Sequence, residues 1–407
     1  MSDIGPQTGG NRIHSMDNLR ALAMLAGVVF HSALAYSPLM HPVWPLADAG
    51  RSVAVDALSW FLHLFRMPLF FAISGFFTAL LVARRGMGGL FRNRCARVLL
   101  PLLLFLPPVA IGLHWLTAHA VATTAHPSPV LAWLRAYVDG HGALPYAPGW
   151  AHLWFLFYLM LFTVLAWVAS ALELDRFGDR LAALPAAMSP VATPLLLASA
   201  LALTGIPWPA PESLVPSLWA LAFFGAYFAL GYRLFGRFDL LERLRPLSPW
   251  LLIGAVAAYV ALFRMTDGLT AARPAPWPRF LYAAMEAYAG FWMTLWCLLA
   301  ARRWLGGHSA VMRWLADASY WVYLAHLPLL FAIQYRLLDL PMHWALKFAI
   351  STLATLALSF ASYQLLVRHT LLGRLLNGKT PRARPLREST IPPADPASSR
   401  KARVEPG

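Results

Sequence analysis

Arg20 and His31 stand eleven positions apart in the sequence. In an α-helix that spacing puts both on one face, about three turns and roughly 16 Å apart along the axis. The stretch around them, Leu19 to Tyr36, is otherwise apolar, with Asp17 beside Arg20 at its entrance. A second apolar stretch carries His63, Arg66 and Ser74 at i, i+3 and i+11, again a single face. Counted in from facing ends, His31 and His63 reach the same depth, and Glu286 reaches a similar depth in a later stretch. Tyr323 and His326 share a face one turn apart, and His152 opens another apolar run. Ionisable groups inside apolar helices are costly and functional by default, so these residues are the first candidates for chemistry.

Imidazole takes a proton near neutral pH, the task in activating a hydroxyl for attack on a thioester. His31 is therefore the candidate base, with His63 and His326 as further catalytic candidates. A carboxylate such as Glu286 holding the second ring nitrogen would fix the tautomer and restore basicity in an apolar setting. Arg66 is placed to stabilise a developing oxyanion. Structural readings stand beside these: His326 and His152 as hydrogen-bond donors between helices, Arg66 as a partner of Glu286, Ser74-Gly75 as a packing site and Cys95 as an ordinary loop cysteine. No metal-ligand spacing, phosphate-cradling glycine loop or G-x-S-x-G turn is present, so hydrolase and nucleotidase readings gain no support.

The elements that must position these groups follow from composition. The 407 residues are 59% hydrophobic and 13% charged, and mean hydropathy is +0.57. That charge density is about half of what a soluble domain carries. The apolar residues gather into runs of about twenty, enough to cross a hydrocarbon core of roughly 30 Å. Reading them along the chain predicts an all-α polytopic transmembrane bundle of about ten spans: 18–37, 55–83, 97–118, 150–171, 190–206, 214–235, 248–265, 278–300, 314–336 and 344–367.

The net charge of +15 is concentrated in alternate connections. Arg84, Arg85, Arg92, Arg94 and Arg97 crowd one; Arg233, Arg237, Arg243 and Arg245 a second; Arg302, Arg303 and Arg313 a third; the tail after Val367 adds a fourth. This is the positive-inside pattern, so the charge orients the protein in lipid and does not point to nucleic acid. It predicts a multi-pass membrane protein with cytoplasmic termini and outer segments around 38–54, 119–149, 266–277 and 337–343. The longest of these, with Tyr137, His141 and Tyr146, is a candidate lid. The domain reading is a cytoplasmic segment 1–16, a transmembrane domain 17–368 and a disordered basic tail 369–407, whose prolines and arginines cannot be buried.

Asp17-Asn18-Leu19-Arg20 leading to His31, and the run Arg66-Met67-Pro68-Leu69-Phe70-Phe71-Ala72-Ile73-Ser74-Gly75-Phe76, resemble the opening of the acyltransferase 3 family. The phrases His63-Leu64-Phe65-Arg66, His152-Leu153-Trp154-Phe155-Leu156, Ala318-Ser319-Tyr320 leading to Tyr323-Leu324-Ala325-His326, and Asn377-Gly378-Lys379 resemble its glucan biosynthesis protein C branch. The resemblance implies an O-acyltransferase that moves an acyl group, succinyl in that branch, from a cytoplasmic acyl-CoA donor to hydroxyls of periplasmic glucans.

It implies that His31 is the essential histidine and that Arg20, with Arg94 and Arg97, meets the donor's phosphates. His152, Trp154 and Tyr323 are the candidates for holding the acceptor. Succinyl-CoA then enters as a substrate, and no tightly bound cofactor or metal is expected. Two rivals remain open at this point: a different acceptor such as another envelope glycan or lipopolysaccharide, and a proton-coupled carrier using the same histidines as a relay.

Overall fold

The computed structural model describes residues 14–145, 148–173, 189–266 and 276–377, and within them the only regular structure is helical. Helix α1 (His14–Ala33) runs into a short 3-10 turn ending at Tyr36. Helix α2 (Val53–Arg94) starts from Ser52, whose hydroxyl accepts the Ala54 N–H. At Gly86, where φ is 67°, α2 breaks. The Arg94 guanidinium then donates to the Thr78 hydroxyl at 2.6 Å, sixteen residues back in sequence. A straight helix would separate those residues by about 24 Å, so the chain doubles back at Gly86. A π-helical turn (Cys95–Leu99) leads into α3 (Leu100–Thr123), and α4 (Pro129–His141) is capped by Ser128.

Helix α5 (Trp154–Ala171) is followed by two shorter apolar helices, α6 (Ala192–Leu201) and α7 (Leu218–Leu234). The short α8 (Phe238–Glu242), α9 (Ser248–Met265), α10 (Pro276–Trp304), α11 (Ala310–Leu338), α12 (Trp344–Ser362) and α13 (Leu371–Asn377) complete the order. Among the described residues, seven helical stretches are long and apolar enough to cross a membrane, and the stretch Val53–Thr123 holds two of the expected spans. The all-α polytopic bundle read from the sequence is therefore the observed architecture.

The fifth expected span, 190–206, is corrected. Helix α6 has ten residues and covers about 15 Å, half of a hydrocarbon core. It starts level with the middle of α10, where Trp292 Nε1 donates to the Pro190 carbonyl at 2.6 Å and the Tyr288 hydroxyl to the Val191 carbonyl at 2.7 Å. These donors satisfy backbone oxygens that lipid cannot. Past α6, Arg279 near the start of α10 donates to the Thr204 carbonyl at 2.7 Å, and the chain then turns inward so that Trp208 is fully buried. The tail expected to be disordered from 369 begins instead with helix α13, which packs against the bundle. Tyr146 and the rest of the tail lie outside the described residues.

Helix α2 is the hub, packed on α1, α7 and α10. Its crossing with α7 is closest at two glycines: a Cβ on Gly75 would lie 1.9 Å from the Phe228 carbonyl oxygen, and one on Gly231 would lie 1.7 Å from that of Ala72. The packing reading of Ser74-Gly75 thus holds. Small residues let helix backbones touch where no solvent-driven force holds them together. At the end of the bundle away from the basic loops, Lys347 and Asp48 form a buried ion pair of 2.6 Å that pins the 37–52 segment to α12.

Candidate active site

The centre of the site is a pair of imidazoles on α1 and α11, packed helix on helix. His31 Nδ1 and His326 Nε2 lie 2.9 Å apart, with their rings at 19°. The direction of this bond can be worked out. His326 Nδ1 faces only carbonyl oxygens, those of Val322 at 3.1 Å and Tyr323 at 2.8 Å. A ring nitrogen between two carbonyls must carry the proton, so in the neutral ring Nε2 offers its lone pair. His31 Nδ1–H is then the donor, and His31 Nε2 is left as the unprotonated nitrogen. The pair therefore presents a base whose tautomer is set by the backbone of α11.

His152 joins the group, its ring 5.0 Å from that of His326 in an edge-to-face arrangement. His152 Nε2 donates to the Tyr323 carbonyl at 3.1 Å, and the Tyr323 hydroxyl donates to the His152 carbonyl at 2.8 Å. This reciprocal latch ties the start of α5 to α11. Arg66 approaches from α2: its guanidinium carbon lies 4.5 Å from the Phe30 ring centroid, and Nη1 lies 3.1 Å from where a Cβ on Gly27 would stand. The side chain is 6% exposed and its Nε makes no hydrogen bond. A cation this enclosed is available to a negative charge that develops beside it.

Three expectations change. Glu286 does not hold a histidine ring: Oε1 accepts the backbone N–H of Trp208 at 2.9 Å and Oε2 makes no hydrogen bond. The ring nitrogen assigned to it is occupied by His326, because depth along α10 says nothing about which way the carboxylate faces. Nor does Glu286 pair with Arg66 among the described residues. His63 donates Nε2–H to the Trp208 carbonyl at 2.9 Å instead of bonding His31. Trp154 is packed beside Phe71 and Phe224 in the aromatic core. Trp208, which joins His63 and Glu286, carries no motif in the sequence that would have singled it out.

The donor-side candidates converge. A cavity of about 900 Å³ opens among the basic loops, lined by Arg20, Arg84, Arg85, Arg94 and Arg97, by Arg313 at the start of α11, and by Arg368 and Arg374 near α13. Three of the basic clusters, far apart in sequence, thus face one space. Arg20 is 3.4 Å from Asp17 and its guanidinium lies over the Phe77 ring. Arg94 is held by Thr78, and the Arg97 carbonyl accepts the Tyr320 hydroxyl at 2.7 Å. Inward, the walls become Met24, Phe70, Ile73, Phe155, Leu156 and Tyr323. The cavity thus runs from a cationic mouth to an apolar floor, and it stops short of His31. Arg66 fills the space along α1 between Met24 and His31, and Tyr323 stands between the floor and the histidines. Clustered guanidinium groups recognise phosphates, and an apolar shaft below them suits an extended thiol arm.

Residues 13–364 match the family described as Acyltransferase domain. The chain is similar to Glucans biosynthesis protein C of Salmonella schwarzengrund (strain CVM19633), 26% identical over 391 residues that cover 91% of this chain and 96% of the relative. The proteins of the same name from Salmonella paratyphi B (strain ATCC BAA-1250 / SPB7) and Salmonella typhi match to the same extent. No solved structure matches the chain.

Proposed function

This chain belongs to the acyltransferase domain family and is a multi-pass membrane acyltransferase, and from that premise we propose that it transfers an acyl group, succinyl in the first instance, from acyl-CoA to hydroxyls of a periplasmic glucan. The basic loops face the cytoplasm in this reading, the protein resides in the inner membrane, and the arginine-lined cavity receives the donor from that side. Arg20, Arg94 and Arg97 bind its phosphates, and the pantetheine arm follows the apolar shaft toward Tyr323. The acceptor arrives from the opposite face, where His152 and Tyr323 border the histidine pair.

The observation that carries this reading is the directed hydrogen bond from His31 to His326. His31 Nε2 takes the proton of the acceptor hydroxyl as its oxygen bonds to the thioester carbonyl carbon. The charge this leaves on the imidazole is stabilised through Nδ1–H by His326, and Arg66 faces the developing oxyanion. As the C–S bond breaks, the proton on Nε2 passes to the leaving thiolate, giving an ester and a free thiol. In this reading the thioester passes Tyr323, which lines the inner end of the cavity, to reach His31.

The experiment is product analysis in reconstituted membranes given labelled succinyl-CoA or acetyl-CoA with a glucan acceptor. Label on the glucan, with a mass increase of one succinyl unit, is the expected result. Label on the glucan only from the acetyl donor corrects the acyl group. No glucan labelling from either donor removes the acceptor assignment.

A further inference from the structure

We infer that Trp208 is a positioning residue of this site, and that His63 and Glu286 act as a two-sided clamp on its peptide groups and not as proton carriers. The inference rests on the acyl-transfer reading and adds the element that holds one wall of its reaction chamber. Residues 202–217 connect α6 to α7, yet Trp208 in their midst has no exposed surface. A connection that enters an apolar bundle brings backbone N–H and C=O groups that water cannot reach, so each needs a partner of its own. Trp208 finds both on side chains: Glu286 Oε1 accepts its N–H at 2.9 Å, and His63 Nε2 donates to its C=O at 2.9 Å. One residue thus absorbs a carboxylate from α10 and an imidazole from α2.

The indole continues the contact. Its centroid is 3.9 Å from that of His63, and Phe223 and Phe224 of α7 pack on it. The His63 ring in turn stacks on Phe30 at 5.2 Å and 24°, and Phe30 carries the Arg66 guanidinium. Phe30 is the residue before His31. The line from Trp208 through His63 and Phe30 therefore ends at the two groups to which the reaction is assigned. A general acid or base must reach the proton it moves. Here the bonding atoms of His63 and Glu286 are committed to a backbone, and their remaining polar atoms, Nδ1 and Oε2, are buried without a partner. What these residues can do is hold the re-entrant segment at a fixed depth, so that Phe30 and Arg66 cannot slide.

The test uses full-length enzyme in reconstituted membranes with labelled acyl-CoA and glucan, comparing Glu286→Ala, Glu286→Gln and Trp208→Ala. Glutamine keeps an Oε1 that accepts the Trp208 N–H, but it cannot ionise. Glu286→Ala and Trp208→Ala are expected to lower kcat about tenfold or more, the range for residues that orient a catalytic group, with donor KM within about twofold. Glu286→Gln should restore most of the loss and leave the pH profile of kcat unchanged. If folded Glu286→Gln is as inactive as Glu286→Ala, the carboxylate works by charge or proton transfer and the clamp is wrong. Should the alanine variants fail to fold, Glu286→Gln against wild type decides alone: retained kcat and an unchanged pH profile support the clamp, and loss of either overturns it. Absence of transfer by the wild-type enzyme would instead sink the acyl-transfer reading itself.

Discussion

His326 accepts a hydrogen bond from His31 across 2.9 Å, and the carbonyls of Val322 and Tyr323 behind His326 dictate that direction. In the acyl-transfer reading, a neutral orienting partner thus stands where a carboxylate is usual behind a catalytic imidazole.

The first prediction follows from that bond. Replacing His326 by alanine frees His31 to adopt the other tautomer and removes the group that stabilises its charged form. The expected loss is about 10- to 100-fold in kcat with little change in either KM. His326→Gln, whose side-chain oxygen can accept the same proton, should recover part of it. Initial rates for both variants in reconstituted membranes check this, and a large KM change with intact kcat would place His326 in substrate binding instead.

The arginine-lined cavity, proposed to receive the donor, makes a second prediction. A charge-assisted bond to a phosphate contributes about 1.5–3 kcal/mol, so Arg94→Ala should raise donor KM roughly tenfold or more. Arg20→Ala should do less, because Arg20 already shares its charge with Asp17. Arg94→Lys should recover only part, since Thr78 holds one arm of a planar guanidinium. Donor KM of the wild-type enzyme should also rise with ionic strength. A series of donor titrations reads all four.

The α2–α7 crossing offers a structural prediction. Gly231→Ala places a methyl group within 1.7 Å of the Ala72 carbonyl oxygen, so the two helices must part. Forced overpacking of this kind costs about 1–3 kcal/mol or more. Gly112→Ala, where nothing lies within 4 Å of the added methyl, should be neutral or better. Thermal stability in detergent, followed by size-exclusion chromatography, separates the two.

At the far end of the bundle, removing one partner of the buried Lys347–Asp48 pair leaves the other charge uncompensated. Lys347→Ala is expected to cost about 3–5 kcal/mol, whereas the double change Lys347→Met with Asp48→Leu should recover much of that stability. The same thermal assay applies.

Helical periodicity made much of this legible beforehand. It put Arg20 and His31 on one face, and equal counting depths matched His31 with His63, whereas the ring that bonds His31 is that of His326, singled out only for sharing a face with Tyr323. Hydropathy yielded the bundle, and clustered arginines pointed to one end of it. Glu286 was assigned the right depth and the wrong direction, because the angle a helix presents to its neighbours depends on packing that no single helix encodes. The short α6 and the inward turn at Trp208 escaped for a related reason. An apolar connection reads the same whether it lies on the bilayer or folds back into protein, and only the donors waiting on α10 and the imidazole on α2 decide between them. The reversal at Gly86 lay in a stretch that hydropathy alone already split in two.

The most direct measurement is acyl transfer by the His31→Ala enzyme, reconstituted at wild-type levels with labelled donor and glucan. General-base catalysis contributes about 10²- to 10⁴-fold, so transfer should fall by that factor while donor binding, measured separately, stays intact. Undiminished transfer by folded His31→Ala would contradict the account.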